Sequence, residues 1–299
     1  MSKILITGVC GFIASHIAER LVELGHEVIG VDNFSTGKEE NIAAIRDKIE
    51  FHKIGIQYFD MADMGIDVIC HQAASCNVPK SMKDPEGYFE NNVIGTHELL
   101  MDARAYGIKK IIIASSSAAH DYISPYGISK RVIEQYSAFY NKTYDMNIVN
   151  LRYFNPYGPR QNMDSQHSMV IPIFINKLLK GEGPTIYGDG NQSRDFIYVD
   201  DVVDANVAAI ENDYGVENYP NLGGAEYYDV GSGEATKIID LFSKIQHYTG
   251  KNIQPLYEKE RLGDPLKTKA EYFGTLPNWE PKTSLSEGLK KTIEWWKNE

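Results

Sequence analysis

The chain has 299 residues, 42% of them apolar or aromatic and 24% charged, a balance that excludes a disordered, fibrous or disulfide-scaffold protein and predicts a globular one of about two domains. Its 30 Lys and Arg against 41 Asp and Glu give a formal net charge of −11, which repels a polyanionic backbone and argues against nucleic acid as a partner. No apolar run approaches the roughly 20 residues of a membrane span, and Lys3 with the turn after it argues against a signal peptide, so no membrane partner and a cytoplasmic location are expected.

From the N-terminus, a short apolar run (Ile4, Leu5, Ile6), a glycine turn, a helical repeat (Ile13, Ile17, Leu21) and a second apolar run from Val28 to Val31 spell a βαβ unit. Further short runs at Val68–Cys70, Ile111–Ala114 and Ile148–Leu151 are separated by helix-length segments such as Tyr88–Tyr106 and Tyr126–Tyr144. Strands of that kind belong inside a parallel sheet covered on both faces. The rhythm fades after about Arg160, where Pro, Gly and charge increase, and a boundary is expected there. Ser284–Lys297 closes the chain as an amphipathic helix with Leu285, Leu289, Ile293 and Trp296 on or near one face. The three cysteines, Cys10, Cys70 and Cys76, lie in or beside apolar segments and read as small core residues in a reducing compartment. No C-x-x-C or H-x-x-x-H pair suggests a metal site.

Gly8-Val-Cys-Gly11-Phe-Ile-Ala14 follows the first strand and opens the first helix. Gly8 permits a tight turn, Gly11 leaves room between the helix N-terminus and a pyrophosphate, and Ala14 allows close helix–strand packing. Asp32, 21 residues after Gly11, is placed to accept from an adenosine ribose and to repel a 2′-phosphate, so the pattern favours NAD over NADP. Ser115-Ser-Ser117 follows the Ile111–Ala114 strand, and Tyr126-Gly-Ile-Ser-Lys130 opens the next helix after Ser124-Pro125. The i, i+4 spacing sets Tyr126 and Lys130 on one face. A phenol is a poor base at neutral pH unless cations favour its anion; Lys130 and an oxidised nicotinamide can supply that charge. Ser117 would then hold a substrate hydroxyl while Tyr126 takes its proton.

These motifs resemble those of the extended short-chain dehydrogenase/reductases, and within them the NAD-dependent nucleotide-sugar epimerase/dehydratase family. The resemblance runs over nearly the whole chain, through Asp32–Gly37, His71–Ala74, Asn91-Asn92, Ser115–Ala118, Tyr126–Lys130, Arg152–Arg160, Tyr187–Gly190, Arg194–Asp201 and Arg261–Asp264. It implies a Rossmann-type doubly wound α/β sheet with a smaller C-terminal substrate lobe: an NAD-binding domain over 1–160, joined again by segments around 194–233, and 161–299 mainly a nucleotide-sugar lobe. It implies NAD contacts at Gly8, Gly11, Phe12, Ile13, Asp32, Asn33, Ser35, Thr36, Gly37, Ile56, Ala73, Ala74, Asn92, Ser115, Tyr126, Lys130 and Phe154. The nucleotide sugar is implied to meet Ser117, Tyr126, Asn155, Tyr187, Arg194, Arg261, Asp264 and Thr268. Guanidinium groups fork onto phosphate and a carboxylate accepts from ribose, which suits Arg194, Arg261 and Asp264. A homodimer is also implied, with Val132, Tyr136, Phe139 and Tyr140 offering an apolar face on the Tyr126–Tyr144 helix.

The chain departs from the family pattern twice. Only eight residues, Ala118–Pro125, separate Ser117 from Tyr126, enough to span about 25 Å and let the two meet. Gly55–Gly65 is too short for the helix expected there and lacks an acid usual near adenine, with Gly55-Ile56 in its place. Related 4,6-dehydratases carry an Asp-Glu pair where this chain has Ala118 and Ala119, so the implied reaction is epimerisation at C4 of a nucleotide sugar by transient oxidation and hydride return, on UDP-glucose and UDP-galactose or their N-acetyl forms. Thr268, small and at the position that limits the C2 substituent, implies room for N-acetyl. Dehydration with Asp121 substituting, or a catalytically silent NAD or nucleotide-sugar binder, are the alternatives.

Overall fold

The computed structural model describes residues 1–162, 169–214, 227–260, 266–270 and 276–298. In chain order the elements are β1 (Lys3–Thr7), α1 (Phe12–Glu23), β2 (Glu27–Asp32), β3 (Glu50–Lys53), β4 (Val68–His71), α2 (Val78–Ser81), α3 (Pro85–Phe89), α4 (Gly95–Ala105), β5 (Lys110–Ser116), α5 (Pro125–Tyr144) and β6 (Asn147–Tyr153). They continue with β7 (Pro156–Tyr157), α6 (Val170–Leu179), β8 (Thr185–Tyr187), β9 (Ser193–Asp195), β10 (Ile197–Tyr198), α7 (Val199–Glu211), β11 (Tyr227–Val230), β12 (Ala235–Lys237), α8 (Ile238–Thr249), β13 (Leu256–Glu258) and α9 (Leu285–Asn298).

Two compact units divide the chain, one formed by Met1–Arg152 with Val203–Tyr228 and the other by Tyr153–Val202 with Asp229–Glu299. The seven-stranded sheet has the order β11-β6-β5-β4-β1-β2-β3. Its β1–β2, β1–β4, β2–β3 and β4–β5 pairs are parallel. The strand order reverses between β1 and β4, the crevice at which doubly wound sheets bind nucleotides beyond their carboxyl ends. Leu5, Ile29, Ile69, Ile111, Ile113 and Ile148 form the core of this unit with Leu99, Leu100 and Ile133 from α4 and α5. The second unit carries three short pairs, β7–β10, β8–β13 and β9–β12.

Some expectations hold and others are revised. The helix-length segment expected over Tyr88–Tyr106 is helical without a gap from Pro85 to Ala105, with a wide π turn at Glu90–Ile94 joining α3 to α4. That wider turn brings buried Asn92 onto Ser75 and Ser129, and such turns recur at functional sites. Gly55–Gly65, expected to be too short for a helix, holds a 3₁₀ turn, Ile56–Tyr58, as that expectation has it. Of the apolar face expected on α5, Tyr140 is buried and Val132 packs on the core, whereas Tyr136 and Phe139 are exposed. Cys10 and Cys70 are buried, but Cys76 is exposed because it lies in the loop after β4, beyond the core strands. No helix among the described residues is long and apolar enough to cross a membrane.

β4 ends on His71, buried between Thr7 Oγ1 at 2.8 Å and Thr96 Oγ1 at 3.0 Å. Burial, and then the Lys130 charge, hold its imidazole down at about 3 instead of 6.5. Between those values the unfolded chain takes a proton that the folded one refuses, so acid favours unfolding. Stability is therefore expected to fall from about pH 6.5 downward, by about 4 kcal/mol at pH 3 from this residue alone. Urea midpoints measured against pH for wild type and His71→Gln should converge in acid; parallel curves would reject the assignment.

Candidate active site

At the carboxyl end of β1, Gly8 adopts φ +69°, and a Cβ there would come within 3.0 Å of the Ala73 Cα after β4. Neither the angle nor the space admits a side chain. Gly11 caps α1 without a side-chain hydrogen bond, and the first turn carries no acid, so its free N–H groups and dipole suit an anion. Phe12 and Ile13 open the helix. Asp32 at the end of β2 accepts from Cys10 N at 2.9 Å and Phe34 N at 2.7 Å, one bond on each oxygen. Desolvation pushes its pKa up and these bonds oppose it. Asn33 accepts from Ser35 N, and Asn33, Ser35 and Thr36 are exposed. A Cβ on Gly37 would meet Cys10 at 2.9 Å, so the 32–37 run lies directly against the glycine turn.

Around the β4 end, Ala73 and Ala74 are half-buried, and Ala73 N donates to Thr7 Oγ1 at 3.1 Å. Asn92 accepts from Ser75 N at 2.8 Å and donates to Ser75 O at 2.9 Å and Ser129 Oγ at 3.1 Å. It thus ties the loop after β4 to α5. Ile56 is half-buried and packs on the core. An uncapped helix N-terminus, two glycines that a Cβ would obstruct and a buried carboxylate with spare lone pairs fit a dinucleotide.

At the end of β5, Ser124 caps α5 by accepting from Gly127 N, with Pro125 in the first turn. That start puts Tyr126 and Lys130 on the buried face, toward β5. Lys130 Nζ donates to Ala114 O at 2.7 Å, and burial lowers its pKa to about 8 against the upward pull of Cys76 and Glu134. Of the three serines, Ser116 is the one that acts on the Tyr126 phenol, drawing its pKa down; Ser117 is half-buried at the head of a 3₁₀ turn, Ser117–His120. Ser115 donates its hydroxyl to Glu134 at 2.7 Å.

The acidified phenol expected from the sequence is not what the protein alone provides. Burial pushes Tyr126 above the usual tyrosine range, Cys76 and Tyr88 add to the rise, and the neighbouring Ser116 hydroxyl opposes it. The Lys130 ammonium, engaged by the Ala114 carbonyl, does not reverse the balance. Burial pushes the Cys76 thiol up as well, so its influence on Tyr126 and Lys130 would come into play only where it ionises.

In the second unit, Phe154 is buried and its N–H donates to Val230 O at 3.0 Å. Asn155 sits at φ +42° and donates to Asp195 O at 2.7 Å and Thr268 Oγ1 at 3.4 Å. Tyr187 ends β8 half-buried; Arg194 is buried with Nη1 on Ser193 O at 2.8 Å. Asp195, which sequence reasoning missed, accepts from Ser232 N, Ser232 Oγ, Gly233 N and Ala270 N. It binds together the segments that carry Asn155, Arg194 and Thr268. Arg261 and Asp264 lie outside the described residues.

The sequence profile of the NAD-dependent epimerase/dehydratase family matches residues 4–223. The chain belongs to that family. Its cofactor is accordingly NAD. It is 34% identical to the UDP-glucose 4-epimerase of Mycolicibacterium smegmatis, over 99% of each chain. Among solved structures, a Thermotoga maritima UDP-glucose 4-epimerase with UDP-glucose superposes with a TM-score of 0.90 at 35% identity, covering 99% of each chain. A UDP-N-acetylglucosamine 4-epimerase from Methanobrevibacter ruminantium, in complex with UDP-N-acetylmuramic acid, gives 0.91 at 32% identity, covering 99% of this chain and 98% of that one. The sequence alone also gives Ser116 and Glu134 no role of their own. Glu134 had a usable signal, because it continues the Tyr126, Lys130 spacing by four more residues.

Proposed function

We propose that the chain interconverts UDP-hexoses epimeric at C4 by removing hydride to give a 4-keto sugar and returning it to the other face. The observation that carries this reading is the buried Tyr126, one helical turn from a buried Lys130 that is held on the Ala114 carbonyl near the carboxyl end of β5. When bound, NAD supplies the hydride acceptor and donor. Tyr126 takes the proton of the sugar's O4 and later gives one back. Ser116 holds the phenol and Ser117 orients the sugar hydroxyl. Lys130, charged below about pH 8, favours the tyrosinate. Asn155, Tyr187, Arg194, Arg261 and Asp264 are proposed to hold the nucleotide diphosphate and its ribose.

Dehydration needs an acid and a base beside the serine run, and Ala118 and Ala119 supply neither. Asp121, two residues on, is exposed at the end of the 3₁₀ turn. Similarity to proteins named UDP-glucose and UDP-N-acetylglucosamine 4-epimerases supports UDP as the nucleotide, and the small Thr268 supports acceptance of N-acetyl sugars. An NMR time course of UDP-galactose with the protein as isolated, without added NAD, is expected to show UDP-glucose. A 4-keto-6-deoxy product, or no turnover of either UDP-hexose or its N-acetyl form, would refute the proposal.

A further inference from the structure

Three adjacent residues at the end of β5 meet three successive turns of one face of α5. Ser116 faces Tyr126 and opposes the rise of its pKa, Ala114 O accepts from Lys130 Nζ at 2.7 Å, and Ser115 Oγ donates to Glu134 Oε1 at 2.7 Å. Only the third of these contacts ends in an ion pair. Arg152 Nε and Nη2 fork onto the two Glu134 oxygens at 2.7 and 2.6 Å, with side-chain exposures of 1% for Arg152 and 0% for Glu134. Arg131 Nη1 adds a bond to Glu134 Oε2 at 3.2 Å. On its other side, Arg152 Nη1 lies 3.0–3.1 Å from the His120 ring nitrogens, and its guanidinium carbon is 3.3 Å from the centre of the Tyr227 ring.

A buried ion pair is seldom more stable than apolar side chains of the same volume, so stability alone is a poor account of this one. Its geometry has a more specific consequence. A guanidinium only donates, so one ring nitrogen of His120 accepts from it. His120 is the last residue of the 3₁₀ turn that begins the short connection from Ser117 to Tyr126. Strand end, turn and helix therefore converge on the same two charges.

We propose that Glu134, paired with Arg152, is a positioning residue for Tyr126, and that His120 anchors the short connection on the same guanidinium. The inference rests on the proposed role of Tyr126 as acid and base. Without the clamp, the strand end and turn slide on α5, and displacements of about 1 Å at a reacting group can cost on the order of a hundredfold in rate.

The test compares wild type, Glu134→Gln, His120→Ala and His120→Gln, with kcat normalised to bound NAD and with amide hydrogen exchange followed over Ser115–Asp121. Glu134→Gln and His120→Ala are expected to lose roughly tenfold to a hundredfold in kcat with KM within about twofold, and His120→Gln, which can still accept, to recover most of it. In the first two variants exchange over Ser115–Asp121 should quicken at least about tenfold while β1 and β4 amides keep their wild-type rates. Unchanged exchange over this stretch, or acceleration spread equally over β1 and β4, overturns the clamp. Exchange reads the clamp even if wild type turns over no UDP-hexose, a result that would instead remove the proposed reaction.

Discussion

Tyr126→Phe is expected to lower kcat by roughly 10²–10⁴-fold while leaving the fold, bound NAD and UDP affinity in place. The substitution removes one oxygen and retains a buried ring stacked edge-on against Tyr88 at 6.5 Å. The lost atom takes with it the group proposed to exchange a proton with O4. Burial already favours the protonated phenol in the protein alone, so the substitution removes no resident charge. NMR turnover of UDP-galactose, the absorbance of released NAD and calorimetric UDP binding separate the outcomes. Equal turnover by both proteins would take Tyr126 out of the chemistry; loss of NAD by the variant would make the effect one of binding.

The parts of this molecule that are legible from sequence are those written in periodicity and in local turn chemistry. Isolated apolar runs alternating with helix-length segments announce a parallel sheet, because a strand buried on both faces has no polar side to display. Gly8 is legible because only glycine serves where a positive φ and a neighbouring backbone coincide. The Ser124-Pro125 start is legible because capping is a contact between near neighbours. What stays hidden is whatever depends on distant partners. Glu134 repeats the Tyr126, Lys130 spacing, yet nothing near it in sequence names its partner, Arg152, which lies 18 residues beyond and forks onto its carboxylate. Cys76 looks like a core residue because its neighbours in sequence are apolar or small, although the loop after β4 carries it to the surface. The choice between Ser116 and Ser117 turns on where a strand ends and a 3₁₀ turn begins, a boundary that three identical side chains do not mark. Asn155, at φ +42°, gives no sign in the sequence that it leaves β6 in a left-handed conformation.

The second large effect is expected from a single methyl group. In Gly127→Ala the added Cβ would lie 2.3 Å from the Ala118 carbonyl oxygen and 3.1 Å from its carbon, both backbone atoms. No side-chain rotation relieves that overlap; either the Ser117–His120 turn lifts or the first turn of α5 swings away. Alanine is worth about 1 kcal/mol more than glycine inside a helix, but overpacking of this kind costs about 1–3 kcal/mol and outweighs it. Tyr126 precedes Gly127, so the displacement falls on the phenol, and a shift of about 1 Å implies a loss on the order of a hundredfold in kcat. Gly95→Ala is the control: its Cβ would meet nothing closer than Glu90 O at 3.8 Å, and kcat should stay within about twofold of wild type. Thermal midpoints and kcat measured on both variants decide the matter. Should Gly127→Ala keep wild-type kcat, the turn and the helix yield to each other freely, and a fixed register between Ser116 and Tyr126 is not what supports turnover.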